Sequence, residues 1–125
     1  MTVVRTGIPD ANGLSSGKGV VTIGADDAPA GTPLQLLPTD RFVFTTTALT
    51  AAQLVELPAA ASVRKGAAVL FADVDGGASA TNTISAKPGA TGDEINGSTA
   101  NAVMINAAYG SKSLFSDGVS QWMER

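Results

Sequence analysis

Two places in this chain set a serine hydroxyl near a lysine amine that could take its proton: Ser15 and Ser16 near Lys18, and Ser111 beside Lys112. Both lie in Gly-rich, turn-like sequence, where such side chains are ordinarily solvated. Acidic pairs at Asp26-Asp27, Asp73 with Asp75, and Asp93-Glu94 could hold a cation. Asp73-Val74-Asp75-Gly76-Gly77 comes nearest to a calcium loop, but the further oxygen ligands and the bidentate Glu that calcium needs do not follow it. A hairpin turn carrying solvated acids is the expectation there. With no His and no Cys, the chain lacks the commonest general base, the commonest metal ligand and the thiolate nucleophile. No Gly-rich loop leads into a helix with a Lys-Ser/Thr pair to cradle phosphate. The expectation is a protein that is not an enzyme, with no catalytic, cofactor-binding or metal-binding residues.

Composition narrows the class further. A chain of 125 residues has room for one domain with a modest core. Hydrophobic residues make up 44%, but 21 residues are Ala, and the aromatics are four Phe, one Tyr and one Trp. Each side chain then buries little area, so association of copies is expected to add burial that one copy lacks. Charged residues are 15% of the chain and the net charge is −3, which leaves no basic surface for phosphates or anionic lipid. Nucleic acid and membrane are therefore not expected partners. The aromatics are too few for a platform that stacks bases or sugars. Without Cys there is no disulfide framework and no thiolate zinc site. The start, MTVVRTGIPDANG, has no charged-then-apolar leader pattern, and no run approaches the ~20 apolar residues of a membrane helix. A soluble protein made in a cytoplasm is expected.

The elements fall into two stretches. Residues 1–33 carry scattered Gly, Pro, Ser and Asp with one short β-like run, Val20 to Ile23, and are read as an extended N-terminal arm. Its apolar residues Val3, Val4, Ile8, Val20, Val21 and Ile23 are the candidate contact set, expected to add backbone to an exposed strand edge of a partner. Residues 34–125 read as an antiparallel β-sandwich of jelly-roll type. Its expected strands are Leu34–Leu37, Arg41–Thr47, Ala67–Val74, Asn82–Ala86, Ala102–Ala107, Lys112–Ser116 and Val119–Glu124. Turn chemistry separates them at Pro38, Asp75-Gly76-Gly77, Lys87-Pro88-Gly89, Asn96-Gly97, Tyr109-Gly110 and Asp117-Gly118. The last is expected to form a two-residue hairpin turn, with Gly66, Gly76, Gly77, Gly97 and Gly118 at positive φ and Trp122 capping the core. Leu49–Leu57 stays open between a short helix, for its propensity and Thr50 cap, and a strand, for its brevity and β context.

From Thr45 onward a series recurs in order: Leu57-Pro58, Lys65-Gly66, Asn82-Thr83-Ile84, Asp93-Glu94-Ile95-Asn96-Gly97, Ser116-Asp117-Gly118 and Trp122. This order resembles a β-structured module of tailed-bacteriophage virion proteins, found in tail fibres, head fibres and capsid-decorating proteins. The resemblance covers about two-thirds of the chain and none of the arm. Glu56 departs from it, standing where Thr or Val usually precedes the Leu-Pro pair. Fold-keeping roles for Leu57, Pro58, Gly66, Ile95, Gly97, Asp117, Gly118 and Trp122 are what it implies. It also implies a structural role on the outer capsid surface of a virion, with the major capsid protein as partner; the Ala-rich core and the symmetry of a lattice site make a homotrimer the expected form. Because the sequence ends soon after Trp122, a decoration or cement protein is expected before a fibre; the alternative is a head-fibre or tail-fibre adsorption module that binds a host-surface glycan.

Overall fold

Inward-facing side chains come at every second position along the longer strands, as at Phe42–Leu49, where Val43 and Thr45 are buried and Phe42 and Phe44 are half-buried. The computed structural model describes residues 4–9 and 15–125, with side chains from residue 19 onward. Among these residues the chain is all-β. Its strands are β1 (Val4–Pro9), β2 (Ser15–Ala25), β3 (Leu34–Gln35), β4 (Phe42–Leu49), β5 (Gln53–Glu56), β6 (Ala68–Ala72), β7 (Ile84–Lys87), β8 (Glu94–Ile95), β9 (Ala102–Ile105), β10 (Ser111–Ser116) and β11 (Gln121–Glu124). One 3-10 turn, Ala60–Ser62, is the only helical element described.

The strands form two sheets, ordered β1-β2-β4-β6-β10-β11-β8 and β3-β5-β7-β9. From β2 to β7 the chain alternates between them. As a result β2, β4 and β6 lie side by side and parallel in one sheet, and β3, β5 and β7 do so in the other. Each strand of one sheet is thus the crossover for the other, so parallel pairing is reached without a helix. Residues stack along this winding. Val21, Val43 and Phe71 are in register in the larger sheet, and Leu34, Val55 and Ala86 in the smaller. All six are buried and belong to one core between the sheets. Antiparallel pairing closes the winding: β10 with β6 and β11, and β9 with β7.

The expectation of antiparallel sheets is corrected by five parallel strand pairs among the nine described. Alternation and turn residues indicate that strands exist; they do not indicate which strand lies beside which. Leu49–Leu57 resolves as strand and bend, not helix: Leu49 ends β4, the chain bends at Thr50 and Ala51, and Gln53–Glu56 forms β5. There the buried row Gln53, Leu54 and Val55 gains sheet partners on both sides, which overrides helix propensity.

The arm boundary also shifts. From Ser15 the chain is strand β2, an inner strand of the larger sheet, and Val21 and Ile23 are fully buried. Those two residues, expected above to contact a partner, are core residues of this chain; Val20 is half-buried. Val4 and Ile8 lie on β1, which pairs antiparallel with β2, and Val3 lies outside the described residues. Ala28 is buried as well, and its N–H donates to Gln53 Oε1 at 2.6 Å, so the segment after β2 is tied to β5. The sequence understated this stretch because two β-branched residues on alternate positions suffice when β4 already supplies the rest of the wall.

Truncation to residues 34–125 is therefore expected to unfold the protein and not to leave an intact body, as circular dichroism and a thermal melt would record. A milder change, Ile23→Ala, should cost about 2–5 kcal/mol by urea denaturation. A cooperative melt of the truncated chain, unchanged in midpoint, would return β2 to the status of a removable arm.

Candidate functional site

The motif residues, far apart in sequence, meet at the end of the sheet pair where β5 and β10 finish. Leu57 is buried and its N–H donates to the Lys87 carbonyl at 2.8 Å. The carbonyl of buried Pro58 accepts from the Trp122 indole Nε1 at 3.3 Å. Trp122 is fully buried, and beside it in register stands Ile95, 2% exposed. The main chain binds them too, since Asn96 N donates to the Trp122 carbonyl at 2.8 Å. Between these lies the 3-10 turn, whose first residue, Ala60, is held by two side chains. Asp93 Oδ2 accepts its N–H at 2.8 Å, and Ser116 Oγ donates to its carbonyl at 2.9 Å. Gly66 N donates to the Ser116 carbonyl at 2.7 Å, which docks the Lys65-Gly66 step on the end of β10.

Gly118 completes this knot. It has φ +78, and a Cβ there would stand 3.0 Å from the backbone N of Lys65. The Asp117-Gly118 turn differs from the two-residue expectation, because Ser116 pairs with Trp122 and four residues, 117–120, make the connection. Asp117 Oδ1 fills that longer loop by accepting the N–H groups of Val119, Ser120 and Gln121. The N–H groups of Gln121 and Val119 are the main cause of a lowered Asp117 pKa. Gly66, Gly76 and Gly97 have positive φ, whereas Gly77 does not: a Cβ at Gly77 would lie 2.4 Å from the Leu49 backbone N, so close approach is what requires glycine there.

A second polar cluster sits at the opposite end, around Asp73, which is 2% exposed. Asp73 Oδ1 accepts from the Thr45 hydroxyl at 2.9 Å and Gly76 N at 3.2 Å. Its Oδ2 accepts from Ala78 N at 2.9 Å and Tyr109 N at 3.1 Å. Burial pushes the Asp73 pKa up, but these four donors outweigh it and the net shift is downward. An acid so held is neither a proton acceptor near neutral pH nor an open cation ligand, and Asp75 stands exposed beside it. No three acidic side chains among the described residues are close enough to share a metal ion.

The remaining candidates are spread apart or already engaged. Asp26 Oδ1 accepts from Gln53 Nε2 at 3.0 Å, and Asp27 Oδ2 from Gly24 N at 2.9 Å. Lys112 bridges to Glu124 at 3.5 Å. The side chains of Ser15, Ser16 and Lys18 lie outside the described residues. A shallow pocket of about 150 Å³ is lined by Ala30, Ala52, Gln53, Leu54, Thr83, Ser85 and Asn101, and holds no titratable group. Among the described residues no helix is long and apolar enough to cross a membrane. No family model matches this chain, and no curated protein matches it at a significant level.

Sequence reasoning missed Gln53, Thr45 and Ser116 as buried polar ties. A polar residue inside an apolar run, as in Ala52-Gln53-Leu54, is the signal that could have marked the first.

Two outcomes follow for stability. The Asp73 pKa lies below its ordinary 3.8 in the folded chain, so its contribution is complete above about pH 4 and fades as pH falls through the folded value. Asp73→Asn should cost about 1.5–3 kcal/mol at pH 7 and flatten the acid limb of the stability–pH curve measured by urea titration. Gly118→Val forces a β-branched residue to positive φ against Lys65 and should cost about 1–3 kcal/mol in the same assay. A variant as stable as the parent would show that this loop relaxes freely.

Proposed function

We propose that this chain is a structural protein of a tailed-bacteriophage virion, a capsid decoration or cement protein. It would bind the major capsid protein on the outer lattice as a homotrimer and stiffen it, with no reaction turned over. Synthesis in the host cytoplasm and residence on the capsid surface go with that role. The observation that supports it is the convergence of the resemblance residues, from Leu57 to Trp122, on one knot of backbone ties. Residues kept for shape and not for reagents are what a lattice-binding module needs. The fibre alternative needs a sugar platform, and the pocket between Ala30 and Asn101 has no aromatic wall.

Reconstruction of phage particles that carry this chain tests the proposal. Density for it is expected at three-fold or quasi-three-fold lattice positions, in a copy number set by the lattice. Particles lacking it should break at lower temperature. Absence from the particle, or a few copies at one vertex or the tail, would overturn the decoration role.

A further inference from the structure

The parallel winding gives the molecule two chemically different ends. Strands β2, β4 and β6 all finish at one end, and β10, antiparallel to β6, begins there. The loop after β6 and the loop before β10 therefore share that end, while the segment before β6 and the loop after β10 share the other. Strand β6 alone separates them by about 17 Å.

At the first end the exposed charges are acidic: Asp75 after β6, and Asp26 after β2, whose Oδ1 accepts from Gln53 Nε2. At the second they are basic, Arg64 and Lys65 before β6. Half-exposed Glu94 also stands at the second end, beside Ser120, so two cations face one acid there; most other charged groups nearby are engaged. Lys112 pairs with Glu124 and Lys87 with Glu56; Asp73 and Asp93 are buried, and Asp117 accepts from its own loop. Each end also exposes apolar side chains beside its charges. Val74 is 59% and Tyr109 72% exposed at the acidic end, and Val119 is 68% exposed next to Lys65 at the basic end.

Tyr109 is held in place for display. Its φ is +61, a region costly for a bulky residue, and its N–H is pinned by buried Asp73. Its ring rests on Gly76, where an added Cβ would stand 2.5 Å from the ring carbon Cζ. A rigid, exposed tyrosine beside an acid is the anchor that an arginine-lysine pair fits, by cation–π contact and ion pairing.

We infer that the chain associates head to tail with a second copy of itself, the Val74-Asp75-Tyr109 end of one copy receiving the Arg64-Lys65-Val119 end of the next. Such a heterologous contact between opposite ends extends copies along the strand direction, and it closes into a ring only where the two patches are angled toward a common axis. The inference rests on the homo-oligomer part of the proposed function and not on the capsid part. Each patch consists of a few side chains, so weak association, seen only at high protein concentration, is expected.

Sedimentation equilibrium of the isolated full chain, over about 10–500 μM, tests this without any capsid. Self-association is expected, weakened several-fold by 0.5 M salt, where the screening length is about half its physiological value. Tyr109→Ala, Asp75→Lys and the double change Arg64→Glu with Lys65→Glu should each weaken it tenfold or more, while buried Trp122 keeps its blue-shifted emission. Mixing the Asp75→Lys chain with the Arg64→Glu, Lys65→Glu chain should restore association, because each supplies the end that the other has lost. A monomer throughout the range, or variants that associate as the parent does, would overturn the inference. Variants that stay monomeric when mixed would overturn its head-to-tail geometry. Failure of capsid binding with self-association intact would count against the decoration role alone.

Discussion

Each passage of the chain from one sheet to the other leaves backbone N–H and C=O groups at the rim of the core, away from the ladders that satisfy them within strands. The fold depends on giving those groups partners. Buried side chains do it. Asp73 takes three N–H groups at one rim, Asp93 and Ser116 hold both polar groups of Ala60 at the other, and Gln53 Oε1 takes Ala28 N. Asp40, also buried, accepts Leu37 N at 2.7 Å at the turn leading into β4. Losing one such acceptor costs more than a typical hydrogen bond, because the orphaned donor stays buried without water.

That constraint explains how an Ala-rich chain with few aromatics can hold together. Stacked winding places each inward side chain in contact with residues of the turns on either side as well as with the facing sheet, so Val21, Val43 and Phe71 form a continuous row. Trp122 and Phe71 are the largest fully buried side chains, and smaller aliphatic ones fill the rest. Where the row would continue past Val43 and Phe71, the next inward residues are Thr45 and Asp73, hydrogen-bonded to each other at 2.9 Å. The core therefore ends in a polar layer at that rim.

Much of this was legible locally and little of it globally. Strand positions followed from alternation and turn residues: β6, β7, β9 and β10 each start within two residues of where the pattern puts them. Parallel order did not, since it depends on which distant strand completes each ladder. The arm was misjudged for the same reason, because Ile23 is a core residue only when Thr45 and its strand lie beside it. At the candidate site, glycines and Trp122 stood out by type. The buried acids did not, because a sequence shows Asp73 beside Asp75 and Gly76 and cannot show that four donors converge on it.

The same constraint limits what chemistry the chain can do. An aspartate surrounded by N–H donors has its lone pairs occupied and its pKa lowered, so it is a poor base; a serine whose hydroxyl donates to a buried carbonyl, as Ser116 does to Ala60, is a poor nucleophile. The polar atoms of Asp73, Asp93 and Ser116 are thus consumed in holding loops. What remains exposed is loop surface at two ends made unlike by the direction of the strands: acid with tyrosine at one, base with valine at the other. Strand direction therefore does two things at once: it stacks the buried rows that make the core, and it fixes which exposed loops share an end.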